Sequence, residues 1–92
     1  MLYKVLYLPL GEEILISVYY TGPYIPSGVR GWEGNVGLKA PGTPTNGDKF
    51  KRALFSDKET AIIWIKELIE RGTSRDLGLR FEHFEIIDIN RD

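Results

Sequence analysis

Two short apolar segments near the beginning of the chain have the pattern of paired β-strands. Residues 2–8 read Leu-Tyr-Lys-Val-Leu-Tyr-Leu, and residues 13–20 read Glu-Ile-Leu-Ile-Ser-Val-Tyr-Tyr. Residues 9–12, Pro-Leu-Gly-Glu, separate them, which predicts a β-hairpin. Alternate residues of a strand point to opposite faces, and in both segments both sets of alternate positions are largely apolar. We therefore expect both strands to be covered on both faces.

A segment of different character follows at residues 21–49. It holds seven of the ten glycines and four of the five prolines, with Tyr24 and Trp32 as its large aromatic residues. Long segments without secondary structure are uncommon in small domains and are usually functional, disordered or interrupted by a strand. We expect a long loop with a short irregular strand at residues 36–40. Residues 50–55, Phe-Lys-Arg-Ala-Leu-Phe, then predict either a third strand or an extended segment that leads into the helix.

The clearest periodic segment is a helix predicted over residues 57–71. Ser56 and Glu59 fit a capping box. In this motif the Ser56 hydroxyl accepts from the Glu59 backbone N–H, and the Glu59 carboxylate accepts from the Ser56 backbone N–H. Apolar residues then recur at helical spacing on one broad face. They are Ala61, Ile62, Trp64, Ile65, Leu68 and Ile69. Gly72 is expected to end the helix in a left-handed conformation.

A polar connection at residues 73–80 leads to a final predicted strand at residues 81–89, Phe-Glu-His-Phe-Glu-Ile-Ile-Asp-Ile. The elements together predict a single α+β domain over residues 1–92, with a Gly/Pro-rich loop at residues 21–49. Its fold is a small antiparallel sheet of three to four strands with one helix packed on one face, in the order ββ(β)αβ. One helix covers only one face, so we expect a partner, a loop or a second copy against the other.

These segments resemble many short bacteriophage-encoded proteins of unknown function. The resemblance is carried by the hairpin that begins Leu-Tyr-Lys-Val at residues 2–5, by Phe-Ser at 55–56 leading into Glu-Thr-Ala-Ile-Ile-Trp-Ile at 59–65, and by Phe-Glu-Ile-Ile at 84–87. It covers most of the chain outside the glycine-rich loop. It implies a phage-type accessory protein that blocks a host or defence factor, and it carries over no functional residues.

Composition and charge narrow the classes of function. Hydrophobic residues make up 42% and charged residues 27% of the chain, as in ordinary folded domains. A net charge of −1 provides no overall attraction for nucleic-acid phosphates. The absence of cysteine excludes disulfides and thiolate sites, and with a single histidine we expect no metal and no cofactor. The stretch 1–10 is too short to cross a membrane and lacks a signal-peptide layout, so we expect a cytoplasmic protein with no membrane partner.

The glycine-rich loop contains a first candidate site. Its glycines, three residues apart from 31 to 37, form neither a Walker loop, which needs a final Lys-Ser or Lys-Thr, nor a dinucleotide fingerprint, which needs a strand-to-helix turn. The simpler interpretation is a flexible loop. Arg30, Trp32 and Lys39 lie in it, and such side chains can close over an anionic or aromatic ligand.

A second candidate site consists of Tyr3, Tyr7 and Tyr19, which we expect on the sheet face away from the helix. Aromatic rows on open sheets stack bases in RNA-binding domains and also fill protein interfaces. The low net charge favours a protein interface or a covering loop over nucleic acid. Ile63 projects from the charged side of the helix and is the predicted oligomer contact.

His83 is the only histidine, and Glu85 follows on its own strand face. Catalysis by a general base needs a nucleophile or a second acid nearby, and no residue pattern nominates one. We therefore expect a half-exposed strand histidine paired with a carboxylate, and we predict no catalytic residue.

These patterns support two classes of function. The first is a non-enzymatic, homo-oligomeric binding protein that recognises a host protein or sequesters a small, anionic, nucleotide-like ligand. The alternative is a single-stranded nucleic-acid-binding module, whose affinity would fall steeply with salt. It would combine the tyrosine face with Lys4, Arg30, Lys49, Lys51 and Arg52. An enzyme ranks last because no set of acid, base and nucleophile is apparent.

Overall fold

The secondary structure follows the predicted order. The computed structural model describes residues 1–28, 37–43, 47, 49–73 and 78–91. Its elements are strands β1 (Tyr3–Tyr7), β2 (Glu12–Glu13), β3 (Leu15–Ser17), β4 (Leu38–Lys39) and β5 (Phe50–Arg52), helix α1 (Lys58–Thr73), a 3-10 helix (Phe81–His83), strand β6 (Phe84–Asp88) and a second 3-10 helix (Ile89–Arg91). The named strand pairs are antiparallel. The α+β class is therefore confirmed, and the short strand expected within residues 36–40 is present as β4.

The strands form two three-stranded sheets that meet at a bend. One has the order β2-β1-β6 and the other β4-β3-β5. The backbone of Ile14 belongs to both, because its N–H donates to the Val5 carbonyl at 2.8 Å and its carbonyl accepts from the Ala53 N–H at 3.1 Å. The second predicted strand is therefore one bent segment divided between the sheets.

Residues 53–55 pair with the edge of β1 that also pairs with β2 and Ile14. Tyr3 and Phe55 exchange backbone hydrogen bonds of 3.0 and 2.8 Å. Ile25, from the long loop, donates to the Leu54 carbonyl at 2.7 Å and accepts from the Ser56 N–H at 3.0 Å. Strand β1 is thus paired on both edges, whereas β6 pairs with β1 alone among the described strands.

The core lies between α1 and the bent sheets. The helix contributes Ala61, Trp64, Ile65 and Leu68, which are nearly inaccessible to solvent and recur at the predicted spacing. The strands and loops contribute Val5, Tyr7, Ile14, Ile16, Ile25, Leu38, Ala53, Phe55, Leu79 and Phe84. Burying one large apolar side chain contributes about 1.5–3 kcal/mol, so this face fixes the helix on the sheets more firmly than helix propensity could.

The ends of α1 differ from the prediction. Asp57 caps its start in place of Ser56, since its Oδ1 accepts from the Thr60 N–H at 2.7 Å and its carbonyl accepts from the Ala61 N–H at 3.3 Å. A carboxylate caps a helix as well as a hydroxyl does, and it also favours the positive end of the helix dipole. The predicted capping box is therefore wrong. The stop at Gly72 is wrong too, because α1 continues to Thr73.

The last strand is shorter than predicted. His83 donates its backbone N–H to the Arg80 carbonyl at 3.0 Å, and the Phe84 N–H is bonded to the Phe81 carbonyl. These local bonds wind residues 81–83 into a 3-10 turn before the chain enters β6.

The sheet face away from α1 is partly polar. Lys4 Nζ lies 3.0 Å from Glu13 Oε1, and Arg52 Nε lies 3.1 Å from Glu13 Oε2. The side chain of Lys4 is only 11% exposed. Half-buried Leu6, Leu15 and Ile87 lie at alternating positions of the same face. In the part of the chain that the structure describes, no helix is long and apolar enough to cross a membrane.

Candidate functional site

Tyr19, the most exposed of the described aromatic residues, lies with two further tyrosines and two lysines at one end of the second sheet. We call this the aromatic–basic surface. Its members are Val18, Tyr19, Tyr20, Tyr24, Lys49 and Lys51. A turn after β3 builds it, in which the Tyr20 N–H donates to the Ser17 carbonyl at 3.1 Å, and the Val18 N–H donates to the Lys49 carbonyl at 3.2 Å. The exposed fraction of Tyr19 is 72%, so this surface presents a large ring to solvent.

Lys51 and Tyr20 hold the centre of the aromatic–basic surface. Lys51 Nζ donates to the Tyr20 carbonyl at 2.6 Å and lies 5.6 Å from the centre of the Tyr20 ring. This distance is within the range of cation–π attraction. Burial raises the pKa of the Tyr20 phenol above its usual value, and the neighbouring Tyr24 adds to the effect. The ring is therefore a neutral platform beside a fixed positive charge.

A close approach of backbone to ring fixes the position of Tyr20. The Tyr20 hydroxyl donates to the Tyr24 carbonyl at 2.8 Å. Gly22 lies directly against the ring, and a Cβ atom at that position would stand 2.7 Å from the Tyr20 Oη and 2.9 Å from Cζ. Glycine is therefore the residue that allows the chain to fold over the ring between Tyr20 and Tyr24.

A second polar cluster attaches the following segment to the start of α1. The carboxylate of Asp57 accepts from the hydroxyl of Ser27, from the Ser56 hydroxyl at 3.1 Å, and from the Thr60 N–H and hydroxyl at 2.7 and 2.8 Å. These bonds, that from Ser27 foremost, lower the pKa of Asp57 to about 2. The cluster is a helix cap, because every bond is accepted by the carboxylate of the cap residue Asp57. The bond from Ser27 also attaches residues 25–28 to the start of the helix.

The glycine-rich loop is only partly described. Arg30 and Trp32 lie outside the described residues, so their predicted role stays a prediction. Lys39 lies in β4 opposite Leu15, whereas Lys51 lies opposite Ile16. Successive strand residues point to opposite faces, so Lys39 and Lys51 leave different faces of the sheet and do not form one site.

The predicted row of tyrosines does not form. Tyr7 is 8% exposed and packs in the core beneath the helix, with its ring 5.1 Å from that of Phe84. Tyr3 is half-buried, and Lys58 Nζ lies 5.8 Å from its ring centre at the start of α1. Of these three tyrosines, only Tyr19 is exposed. The prediction of one shared open face is wrong because the odd-numbered residues of β1 face α1.

The basic residues considered for nucleic acid are also divided. Lys4 and Arg52 are both paired with Glu13 on the face away from the helix. Arg30 lies outside the described residues. This leaves Lys49 and Lys51 as the described basic residues of that set that lie beside exposed tyrosines.

His83 is half-buried in the 3-10 turn rather than in a strand. Its ring meets Tyr7 edge-on at a centroid distance of 6.2 Å. Its Nδ1 is buried without a hydrogen-bond partner among the described residues, and the expected pairing with a carboxylate is not found there. Within the described ranges, no cluster of three or more His, Asp or Glu side chains has metal-binding geometry.

A groove lies at another part of the molecule, along β6. Its volume is about 430 Å³, and it is lined by residues 85–88 together with Tyr3, Lys58 and Arg91. None of its lining residues belongs to the aromatic–basic surface. Ile63, the predicted oligomer contact, is 56% exposed on α1 and lies outside both features.

Sequence reasoning missed Tyr20 and Tyr24 as members of a site. The available signal was the local sequence Tyr-Tyr-Thr-Gly-Pro-Tyr at residues 19–24. Its glycine and proline indicate a turn of the chain between the tyrosines. The pairing of Tyr20 with Lys51 depends on the register of β3 with β5, which no local sequence pattern predicts.

Comparisons with known proteins do not identify a family. No protein-family model matches the chain, and neither the curated proteins nor the solved structures contain a significant match. The resemblance to short phage proteins stays a prediction, and the function is inferred from the site.

Proposed function

We propose that the protein is a non-enzymatic binding protein that docks another protein through its aromatic–basic surface. The observation that carries the proposal is the exposure of Tyr19 and Tyr24 around the fixed Lys51–Tyr20 pair. Tyrosine supplies a large contact area at low entropic cost, and interface energy concentrates on such residues. The resemblance to short phage proteins implies a host or defence factor as the kind of partner, met in the cytoplasm.

Two features favour a macromolecular partner over a small nucleotide-like ligand. Small molecules bind in concave sites that enclose most of their surface. The groove along β6 contains no residue of the aromatic–basic surface. Tyr19, at 72% exposure, can lose much of its solvent contact against a partner. A docked protein therefore uses this surface more fully than a small ligand does.

Charge favours a protein over a nucleic acid. Single-stranded nucleic acid is bound by bases stacked on aromatic rings together with a basic groove along the backbone. Lys4 and Arg52 are engaged by Glu13, and the net charge is −1. Lys49 and Lys51 supply a short basic element that suits an acidic rim on a protein.

The described acidic clusters support a binding role over catalysis. Asp57 caps a helix, and Glu13 neutralises Lys4 and Arg52. Both clusters have structural roles that account for their bonds. An enzyme remains the lowest-ranked reading.

The test uses the whole chain as bait in a lysate of the cells in which it is naturally made. Three baits are compared: the wild type, the double variant Tyr19→Ser/Tyr24→Ser, and Ile63→Ser as a matched loss of an exposed apolar residue. Any protein retained by the wild type is then purified, and its affinity for each form is measured by calorimetry. We expect the double variant to bind at least about 30-fold more weakly, as for the loss of a hot spot of 2 kcal/mol. Ile63→Ser should bind like the wild type.

Other outcomes overturn the proposal. Equal binding by the double variant, loss of binding in Ile63→Ser, or retention of no protein by the wild type would each remove its basis. A fluorescently labelled oligo-dT or oligo-U that binds at low salt and is released steeply with added salt would establish the nucleic-acid alternative.

A further inference from the structure

The outer edge of β6 carries backbone groups that have no partner in the described part of the chain. Leu8 N–H donates to the His83 carbonyl at 2.8 Å, and Ile89 N–H donates to the Leu2 carbonyl at 3.1 Å. Hydrogen-bonded pairs alternate along an antiparallel ladder, so positions 83, 85, 87 and 89 face β1 and positions 84, 86 and 88 face away. The Phe84 N–H is bonded within the 3-10 turn. The Asp88 carbonyl is the first acceptor of the 3-10 helix Ile89–Arg91, in the i→i+3 pattern of such helices. The N–H and the carbonyl of Ile86 and the N–H of Asp88 are therefore directed to an edge where the described residues supply no partner.

The groove of about 430 Å³ follows this same edge. Four consecutive residues, 85–88, line it, and both faces of β6 are represented among them. An unpaired strand edge is a general site for the addition of another strand by β-sheet extension.

We propose that the edge of β6 pairs with the same edge of a second copy, antiparallel, about a twofold axis at Ile87. In this register Ile86 of each copy exchanges both backbone hydrogen bonds with Asp88 of the other. The four bonds satisfy every unpaired donor and acceptor of these two residues. A register centred on Ile86 would place Glu85 directly opposite Ile87 of the other copy, whereas the Ile87 register places Glu85 diagonal to Arg91, so the Ile87 register is favoured.

The side chains along the edge are self-complementary in this register. Glu85 and Arg91 both line the groove and are the first and last of its lining residues within the segment 85–91. A twofold axis at Ile87 brings Glu85 of one copy to the end that carries Arg91 of the other. Opposite charges at such diagonal positions stabilise paired strands, and like charges directly opposite would destabilise them.

The axis itself is apolar. Ile87 lies opposite Lys4 on the face away from the helix, and it is half-buried in the single chain. The two Ile87 side chains would meet as a non-hydrogen-bonded pair, the closer type of cross-strand pair. The result is a continuous six-stranded sheet, β2-β1-β6 followed by its symmetric copy. This surface is separate from the aromatic–basic surface, so its test does not depend on the proposed function.

The experiment exploits the absence of cysteine from the chain. Ile87→Cys places two thiols across the axis at a separation that a disulfide can span. Ile63→Cys, on the exposed face of α1, is the matched control and also tests the oligomer contact predicted from the sequence. Both are equilibrated at about 10 µM with a glutathione redox buffer, where a paired strand provides an effective thiol concentration near the millimolar range. We expect a dimer-forming constant for Ile87→Cys about 100-fold above that of Ile63→Cys.

A proline variant distinguishes a disulfide that forms between paired strands from one that forms by random encounter of two chains. Asp88→Pro removes an N–H that points away from β1, so the internal ladder remains intact. It should abolish the disulfide dimer in the Ile87→Cys chain while the circular dichroism stays that of the folded protein. The wild type should have twice the chain mass of 10.5 kDa, about 21 kDa, by light scattering, and Ile87→Lys should reduce it to one chain.

Three outcomes would overturn the proposal. They are a monomeric wild type at millimolar concentration, equal dimer formation by the two cysteine variants, and a dimer that persists in both Asp88→Pro and Ile87→Lys. If Asp88→Pro fails to fold, the comparison of Ile87→Lys with Ile63→Lys decides, since only the former should be monomeric.

Discussion

The side-chain ammonium of Lys51 donates to the backbone carbonyl of Tyr20 and stands beside the ring of the same residue, at 2.6 and 5.6 Å. The two residues are 31 positions apart in the sequence. Through this double contact β5 supports the turn that follows β3. The exposed rings of Tyr19 and Tyr24 are consequently attached to a rigid base, and pre-organisation of this kind lowers the entropic cost of binding.

Replacing Lys51 should loosen this base. Lys51→Met keeps the aliphatic stem and removes the ammonium, which donates a charge-assisted hydrogen bond and makes the cation–π contact. We expect a loss of about 1–2 kcal/mol in the free energy of unfolding, measured by urea denaturation. Lys49→Met is the control, because Lys49 is exposed and no bond to its ammonium is found among the residues that the structure describes. It should stay within about 0.5 kcal/mol of the wild type. Equal effects of the two substitutions would contradict the role assigned to Lys51.

The contact between Gly22 and the Tyr20 ring predicts a sharp difference between two glycines. Gly22→Ala forces its Cβ to within 3 Å of the phenol, so the ring must move and its bond to Tyr24 must lengthen. We expect a loss of about 1–3 kcal/mol in thermal or urea unfolding, as for overpacking. Gly37→Ala is the control, since the space around Gly37 is open and its φ is not left-handed. If Gly37→Ala were the more damaging change, the packing described for Tyr20 would be wrong.

The cap at Asp57 predicts a specific dependence of stability on pH. Folding lowers the pKa of this carboxyl from 3.8 to about 2, so the folded state favours the ionised form. The resulting stabilisation is fully present above about pH 4 and is lost as the pH falls through 2. Asp57→Asn, which still caps a helix, should therefore flatten the decline of unfolding free energy between pH 4 and pH 2. Urea titrations at a series of pH values measure this slope.

Glu59→Gln is the control for that titration. Glu59 lies exposed in the first turn of the same helix and accepts none of the bonds that surround Asp57. Its variant should keep the wild-type slope. If the slope were unchanged in Asp57→Asn and flattened in Glu59→Gln, the acid sensitivity would come from Glu59 and the role given to Asp57 would be wrong.

The ion pairs of Glu13 should be more sensitive to loss of the acid than to loss of one base. Glu13→Gln removes the carboxylate from both Lys4 and Arg52, and Lys4 is nearly buried. Breaking a buried pair costs more than replacing its cation by an apolar group of similar shape. We expect a loss of about 2 kcal/mol for Glu13→Gln and less than about 1 kcal/mol for Lys4→Met in urea unfolding. The reverse order would show that the Lys4 ammonium is stabilised by contacts other than its ion pair with Glu13.

Local patterns in the sequence were sufficient for most of the fold. The hairpin follows from two apolar segments around Pro-Leu-Gly-Glu, and the buried side of α1 follows from residues spaced three and four apart, among them Trp64 and Leu68. Such periodicity is visible in a single segment, because the geometry of a helix or strand alone decides which positions share a face.

Contacts between distant segments decided the rest. Asp57 became the cap because Ser27 reaches it from 30 residues away, and the second strand bends because Ile14 bonds to both Val5 and Ala53. The same is true of the site: the Lys51–Tyr20 pair depends on the register of β3 with β5, and the open edge of β6 depends on which strands pair. The sequence by itself determined which residues could be buried and where the elements lie. Only the tertiary structure decided which polar and aromatic groups meet, because those meetings require chain segments to be brought together by the common core.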